Sequence, residues 1–161
     1  MILLDNKRIE RTLKRMAYQI YEMAHSSSVR LIGLNSRGMA VAKVIKQHLE
    51  HASAKTIPLH NIQVDDTDDF TFPEQPGENE ILVIVDDVIF SGGSMFNVIR
   101  RIQELSAFKK VCVAVLIDRG HRILPVQASI VGLDVPTKLN EHVELRLHQR
   151  EPKEIVLTKN K

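Results

Sequence analysis

The sequence predicts an α/β fold with a doubly wound parallel sheet. Two entirely apolar runs, residues 81–85 and 111–117, are typical of parallel strands that helices cover on both faces. A segment with helical periodicity lies between these runs, and another strand-helix pair precedes them. Strands that alternate with helices favour right-handed crossovers and a ligand crevice beyond the carboxyl ends of the strands.

The first half of the chain reads as helix, strand and helix. From residue 7 to residue 23, apolar side chains recur at spacings of four, three, four and three, which predicts an amphipathic helix. Residues 29–34 predict a strand, and a helix with one apolar side follows it over residues 41–49. Residues 56–64 predict a further strand, with Pro58 at its start or at a sheet edge.

The second half is built around a central strand predicted at residues 81–85. After a Ser-Gly-Gly-Ser turn, helical spacing runs from residue 95 to residue 105, and residues 111–117 predict the next strand. Residues 63–80 join the two halves and carry five Asp or Glu before a Pro-Gly pair, without strong periodicity. That composition predicts a long mobile loop.

Composition limits the classes of function. With 161 residues, 43% of them hydrophobic, the chain is expected to form one domain over residues 1–161. Its net charge of +2 is too near balance to indicate nucleic-acid or membrane binding from bulk electrostatics, so any such site must be local. The single cysteine, Cys112, lies in an apolar run, which predicts a buried thiol in a reducing compartment. We expect a cytoplasmic protein without a membrane partner, because no apolar run reaches the roughly 18 residues of a membrane span.

Asp86 and Asp87 follow the central strand and precede a glycine-rich turn made of Ser91, Gly92, Gly93 and Ser94. Because a helix begins directly after this turn, its backbone N–H groups and two hydroxyls can converge on a phosphate. The two carboxylates can accept hydrogen bonds from a pair of ribose hydroxyls, so the spacing fits a ribose 5-phosphate. Without the turn that follows them, the two aspartates are explained equally well as residues that end the strand and keep the turn in contact with water.

Other nucleotide-binding and metal motifs are missing from the sequence. Neither G-x-x-x-x-G-K-[ST] nor G-x-G-x-x-G occurs, which disfavours an NTPase or a dinucleotide enzyme. The seven histidines show no H-E-x-x-H or paired Cys/His spacing, so zinc ligation is not expected.

An apolar strand, two acidic residues and a Ser-Gly-rich loop resemble the motif with which type I phosphoribosyltransferases bind phosphoribosyl pyrophosphate (PRPP). Residues 115–125 and 131–137 are similar to the pyrimidine-operon attenuator and uracil phosphoribosyltransferase family. Residues 9–17 and 31–38 resemble the same family, so the similarity covers nearly all of the chain except residues 58–80. The resemblance implies a single-domain type I phosphoribosyltransferase fold with a small hood, and a homo-oligomer, either dimer or tetramer.

The resemblance also implies a reaction and roles for residues. The family transfers ribose 5-phosphate from PRPP to uracil with Mg²⁺, giving UMP and pyrophosphate. Its roles fall on Asp86 and Asp87 for the ribose, on Ser91, Gly92, Gly93 and Ser94 for the 5-phosphate, and on Ser36, Arg37 and Gly38 for pyrophosphate. Asp118 would face magnesium-bound pyrophosphate, and Asp87 and Arg37 are the catalytic candidates.

One segment and two single residues depart from patterns known in related enzymes. The family closes a loop arginine over PRPP, but residues 63–80 contain no arginine and are acidic, and Gly93 stands where the family usually has arginine. We therefore expect PRPP to bind and turnover to be weak. Phe90 stands near an aspartate that purine phosphoribosyltransferases use to bind the base, which favours a pyrimidine; packing as ordinary core would also explain it.

The second hypothesis is a nucleotide-sensing, RNA-binding regulator of pyrimidine genes with little or no catalysis. The family binds operon leader RNA, and its contacts would fall here on Arg11, Arg15, His121 and Arg122. A solvated helix face explains the same basic charge on the first helix. The family histidine and lysine on this surface are replaced by Tyr18 and Leu133, which weakens the hypothesis.

Overall fold

A computed structural model describes residues 1–160, in which strands and helices alternate along most of the chain. The strands are β1 (Ile2–Leu4), β2 (Ser28–Leu34), β3 (Leu59–Ile62), β4 (Glu80–Ile89), β5 (Lys110–Asp118), β6 (Ile130–Asp134), β7 (Glu141–His148) and β8 (Glu151–Lys159). The α-helices are α1 (Asn6–Ala24), α2 (Asn35–Ser53) and α3 (Gly93–Arg101), and a 3₁₀ turn spans Leu105–Ala107.

Five of these strands form a parallel sheet in the order β3-β2-β4-β5-β6. Helices α1 and α2 pack on one face against a core that includes Val83 and Leu116, whereas α3 packs on the other face against Ile84 and Val115. Both faces of the central strand are therefore buried, which explains its continuous apolar run. The predicted doubly wound sheet is confirmed, and its carboxyl ends meet at one edge.

A second sheet, in the order β1-β8-β7, is antiparallel and joins the two ends of the chain. Its buried residues Val143, Leu145 and Ile155 belong to the same core as α1 and α2. Gln149 and Arg150 form the tight β7–β8 turn with positive φ angles of 51° and 66°. This sheet is the small hood that the resemblance implied, although the residue pattern alone did not predict its strands.

Residues 63–80 form the predicted long and mostly exposed loop, which Phe70 and Phe72 anchor beside the sheet; its mobility stays a prediction. Phe72 is 3% exposed, and its ring lies edge-on to those of Phe70 and Phe108, with centroids 5.0 and 5.4 Å away. The acidic residues around these two phenylalanines concealed their burial from a reading of composition. The segment is the crossover between β3 and β4.

The end of α3 holds the same crossover in place. The buried Arg101 guanidinium donates hydrogen bonds to the carbonyl oxygens of Gln63 and Asp68, both at 2.9 Å. The N–H of Phe70 donates to the Arg101 carbonyl at 2.8 Å, and Phe70 pairs with Ile102 in an isolated bridge. This pairing ends the helix at Arg101, four residues earlier than the apolar spacing predicts.

A buried ion pair joins β2 to the beginning of β4. The Arg30 guanidinium contacts the two carboxylate oxygens of Glu80 at 2.9 and 3.1 Å, and both side chains are less than a tenth exposed. Arg30 also donates to the carbonyl of Glu74 and lies 4.8 Å from the centre of the Phe72 ring. It therefore connects the crossover to the sheet.

Two expectations about compartment can be compared with this structure. Cys112 is buried, as predicted, and burial raises the pKa of its thiol to about 11, so the side chain behaves as an inert small hydrophobe. None of the helices formed by residues 1–160 is long and apolar enough to cross a membrane.

The Arg30–Glu80 pair gives a stability prediction. Glu80→Ala leaves a buried guanidinium without its carboxylate, so we expect the free energy of unfolding to fall by about 3–5 kcal/mol. Urea denaturation followed by circular dichroism measures the change. As a control, Arg146→Ala removes the more exposed Arg146–Glu154 pair and should change the free energy of unfolding by less than about 1 kcal/mol. Equal effects of the two substitutions would contradict the assignment.

Candidate functional site

The predicted ribose and phosphate residues lie together at the carboxyl end of β4. Asp86 and Asp87 lie within β4, which continues to Ile89, and not after its end as the sequence suggested. A pocket of about 240 Å³ is lined by Asp86, by Phe90 and by the turn of residues 91–94. Asp86 and the candidate phosphate loop therefore share one pocket, and Asp87 is its neighbour in β4 without lining it.

The phosphate loop has the backbone geometry that its glycines require. Gly92 has a φ of +84°, and the N–H of Gly93 donates to the Ser91 hydroxyl at 3.2 Å. Helix α3 begins at Gly93, so the first N–H groups of the helix have no carbonyl partner one turn earlier. These donors border the pocket, where an anion can satisfy them.

The two aspartates differ in environment. Burial raises the pKa of Asp86 well above the usual range, and the neighbouring charge of Asp87 raises that pKa further. The Asp87 N–H donates to Asp86 Oδ1 at 2.8 Å. Asp86 therefore retains a proton more readily than an ordinary aspartate does.

The turn at the start of α2 lies directly against Asp86. A Cβ atom on Gly38 would stand 2.9 Å from the Val85 carbonyl oxygen and 3.1 Å from Asp86 Oδ1. Only glycine allows this approach without displacement of the backbone. The structure thus brings the predicted pyrophosphate turn, residues 36–38, next to the predicted ribose carboxylates.

Arg37, the charged residue of that turn, contacts the hood. Its Nε donates to the Leu145 carbonyl at 2.9 Å, and its Nη2 pairs with Glu144 Oε1 at 2.7 Å. The guanidinium therefore joins α2 to β7 in this structure. Its role on pyrophosphate stays a prediction, and that role requires the Glu144 contact to open or to be shared.

Asp118, at the end of β5, is paired with Arg122. The guanidinium contacts Oδ1 at 3.0 Å and Oδ2 at 2.7 Å, and the Gly120 N–H donates to Oδ1 at 2.9 Å. A direct role of Asp118 toward magnesium-bound pyrophosphate also stays a prediction, because both carboxylate oxygens already have partners.

Arg122 and its loop close onto the phosphate loop. Its guanidinium donates to the Phe90 carbonyl at 2.9 Å, and the N–H groups of Ile123 and Leu124 donate to the Ser91 carbonyl at 2.9 and 3.2 Å. A Cβ on Gly92 would lie 3.3 Å from Val126. Residues 119–126 therefore support the pocket from behind.

Arg119 belongs to this support, and sequence reasoning missed it. Its side chain is buried, its Nε donates to the Thr137 hydroxyl at 2.9 Å, and it also donates to the Glu141 carbonyl. Its guanidinium lies 4.2 Å from the centre of the Phe90 ring. Adjacency to Asp118 was the only signal in the sequence, because its partners lie 18 and 22 residues further along the chain.

The four candidate RNA contacts do not form one free surface. Arg15 donates to the carbonyls of Val131 and Gly132 at 3.3 and 2.5 Å and covers the edge of β6. His121 contacts the Thr137 carbonyl, and Arg122 pairs with Asp118 as described above. Arg11 is exposed, and it has no ion pair within residues 1–160. Contact of these residues with RNA stays a prediction.

The fold and the pocket define a class of protein, a phosphoribosyltransferase of type I. The profile of the phosphoribosyl transferase domain matches residues 2–149, so the chain belongs to this family. Among solved structures, the hypoxanthine phosphoribosyltransferase of Trypanosoma cruzi has a TM-score of 0.75, covers 100% of this chain and 97% of its own, and is 16% identical. At that identity the likeness supports the fold alone.

Curated relatives specify the family further. The bifunctional protein PyrR of Fusobacterium nucleatum is 34% identical, over 97% of this chain and 96% of its own length. The bifunctional protein PyrR of Alkaliphilus metalliredigens is 32% identical, over 96% of this chain and 92% of its own. The chain therefore belongs to the PyrR family, as the resemblance in its motifs indicated.

The conformation of Gly92 gives a prediction about phosphate. Gly92→Val should abolish binding of ribose 5-phosphate, because a β-branched residue disfavours a φ of +84° and its side chain would press on Val126. Calorimetric titration measures this loss. The comparison variant is Gly93→Ala, whose Cβ would meet only the Ser91 hydroxyl, at 3.3 Å, and which should retain binding. A crystal of Gly92→Val with phosphate in the loop would refute the prediction.

The raised pKa of Asp86 predicts a dependence of stability on pH. The folded state holds this proton more tightly than the unfolded state, so folding loses stability as the pH rises above about 3.9, the ordinary pKa of an aspartate. Asp86→Asn removes the buried charge and should raise the melting temperature of the ligand-free protein at pH 7 to 8. Thermal melts from pH 5 to 8 test this, with exposed Asp69→Asn as the control; a variant that melts below the wild type at pH 8 would contradict it.

Proposed function

We propose that the protein transfers the ribose 5-phosphate group of PRPP to uracil, which yields UMP and pyrophosphate. The observation that carries this proposal is the pocket that Asp86 shares with the phosphate loop of residues 91–94, with Asp87 next to Asp86 in β4, in a chain that belongs to the PyrR family. The residue pair and the loop are spaced for one ribose 5-phosphate.

Each part of the pocket has a role in this reaction. The loop amides and the hydroxyls of Ser91 and Ser94 bind the 5-phosphate, while Asp87 accepts a hydrogen bond from a ribose hydroxyl. As the bond from C1 of ribose to pyrophosphate breaks, positive charge develops on the ribose. A carboxylate fixed beside the ribose ring stabilises that charge. Because PRPP and uracil are already bound and aligned for the reaction, the entropy of bringing them together has been lost before the chemical step.

Pyrophosphate leaves beside the turn at the start of α2. Ser36, Gly38 and Arg37 are its proposed contacts, and Gly38 sets their distance from the ribose site through its approach to Val85 and Asp86. Arg37 can serve there if its guanidinium is shared with Glu144. Asp118 acts on pyrophosphate only after its Arg122 ion pair opens.

Magnesium is the proposed cofactor. Within residues 1–160 no cluster of three or more His, Cys, Asp or Glu side chains is arranged to hold a metal ion. The site fits an ion carried mainly by phosphate oxygens, because Mg²⁺ typically keeps several waters and uses one or two carboxylates plus substrate phosphates. When bound, the ion would neutralise charge on the departing pyrophosphate, and Asp118 would face it once the Asp118–Arg122 ion pair opens.

Phe90 supports a pyrimidine as the acceptor base. Its ring lines the pocket on one side and is held by the Arg119 guanidinium and the His121 ring on others. An apolar ring at this position offers no carboxylate to a purine N–H, and the Arg119 guanidinium packs against the ring. Uracil, the smaller base, is therefore the proposed acceptor.

A second function, RNA-dependent regulation of pyrimidine genes, is proposed alongside the enzyme activity. The relatives are named bifunctional, and Arg11 and Lys14 on α1 are exposed. The proposed partner is the leader RNA of a pyrimidine operon, with Arg11 as the first contact. Gel-shift titration with such a leader RNA, with and without UMP, tests it; binding that is unchanged in Arg11→Ala would remove Arg11 from the interface.

Three wider expectations belong to the same proposal. We place the whole of residues 1–161 in one phosphoribosyltransferase domain, the protein in the cytoplasm, and the chain in a dimer or tetramer. Analytical ultracentrifugation of the purified protein decides the oligomeric state.

Asp87→Asn tests the proposed ribose contact. The amide keeps the shape but loses a charged acceptor, and hydrogen bonds to charged groups are worth roughly 1.5–3 kcal/mol, so PRPP affinity should fall about ten- to a hundred-fold. Titration calorimetry measures the affinity, and an assay with labelled uracil measures UMP formation. Asp69→Asn, on the exposed crossover, should leave both unchanged. Wild-type affinity in Asp87→Asn would exclude this role, and a wild-type protein that forms no UMP would exclude the enzyme activity.

A further inference from the structure

A second cavity, of about 450 Å³, begins at Ser36 of the pyrophosphate turn and shares no lining residue with the ribose pocket. Its polar lining comes from Asn35, Ser36, Asn61 and Gln63, and its two charged residues are Lys43 and Arg150. Lys43 lies on α2 two turns after Ser36, and Arg150 lies in the β7–β8 turn. The fold thus brings two cations from distant parts of the chain to a cavity that begins at Ser36.

Neither cation has a carboxylate partner. Within residues 1–160, Lys43 and Arg150 form no ion pair and their side chains donate no hydrogen bond. The cavity lining contains no Asp or Glu. Two like charges that face one cavity repel each other, and an anion between them converts that repulsion into attraction.

Carboxylates share a different cavity with these two cations. An adjoining cavity of about 230 Å³ also touches Lys43 and Arg150, and it includes Glu10 and Glu151. Glu10 is already bonded to His48 at 2.8 Å. An anion is therefore favoured at the Ser36 end, where the remaining donors are neutral amides and a hydroxyl.

Other cations near the pyrophosphate turn are already engaged. Arg37 contacts Glu144 and the Leu145 carbonyl, and Arg101 bonds to carbonyls of the crossover. The crossover contributes Gln63 to the cavity and no charge. Lys43 and Arg150 are thus the available positive charges beside Ser36.

We infer that Lys43 and Arg150 form a binding site for a diphosphate group, with Ser36, Asn61 and Gln63 as neutral contacts. The inference rests on the proposed function and deepens it, because the pyrophosphate end of PRPP leaves the ribose pocket at Ser36. The two cations supply the charge that an arginine in residues 63–80 would otherwise bring. Nucleoside diphosphates carry the same group and are the other source of such a ligand.

Paired substitutions test this site. Arg150→Gln and Lys43→Gln remove one charge each at nearly constant size, and each should weaken binding of Mg²⁺–PRPP and of inorganic pyrophosphate about tenfold or more, as for other hydrogen bonds to charged groups. UMP, which has no diphosphate, should bind as in the wild type. Lys153→Gln, on the same hairpin but outside this cavity, is the matched control and should change nothing.

The ligands separate the possible outcomes. UDP is titrated as the nucleoside diphosphate. If both substitutions weaken the binding of PRPP and of UDP, the site is a general diphosphate site; if they weaken the binding of PRPP but not of UDP, the site is dedicated to pyrophosphate. PRPP and pyrophosphate binding that neither substitution changes would overturn the inference while leaving the proposed function intact. Equal loss of UMP affinity would also overturn it, because the effect would then not depend on the diphosphate. A wild-type protein that binds pyrophosphate through Arg150 but not PRPP would instead refute the proposed function.

Discussion

Strand β4 is paired on both edges and buried on both faces, and this position determines where each candidate site residue lies. Its register with β2 and β5 brings the ends of three parallel strands to one edge. Asp86 and Asp87 are part of that paired strand, so their backbone positions are set by the sheet and not by a flexible turn. The phosphate loop follows after only a few residues, which fixes the distance between carboxylates and phosphate donors. Burial of β4 also explains the raised pKa of Asp86.

Several residues that look functional in the sequence also have structural partners. Arg37 joins α2 to the hood, Arg122 joins Asp118 to the phosphate loop, and Arg15 covers carbonyls at the edge of β6. Each guanidinium has five N–H donors in a rigid fork, so one side chain can connect two or three elements. A ligand must therefore share these donors or displace their present acceptors. Through Arg122 and Arg119, the phosphate loop is connected to the segment that leads into the hood.

The β3–β4 crossover contains no arginine, and it covers the sheet beside α3. Phe70 and Phe72 fill the space beside α3, and Arg30 and Arg101 satisfy backbone carbonyls along the segment. These contacts anchor an otherwise mostly exposed segment to the core. On the proposed function, positive charge toward pyrophosphate comes from α2 and the β7–β8 turn, which bring Lys43 and Arg150 to the cavity beside Ser36.

The sequence by itself determined the alternation of strands and helices, the central strand and the phosphate loop, because apolar periodicity and a glycine-rich turn are local signals. The motifs around Asp86 and Asp118 were also sufficient to indicate the PyrR family. Tertiary structure alone decided the anchoring of residues 63–80 and the burial of Arg119, whose partners lie 18 and 22 residues away in the chain. It also decided which cations on α2 are paired: Arg37 meets Glu144, over a separation of 107 residues, whereas Lys43 has no ion pair within residues 1–160. Such pairings depend on how sheet, helices and hood are placed in space, and local spacing carries no information about them.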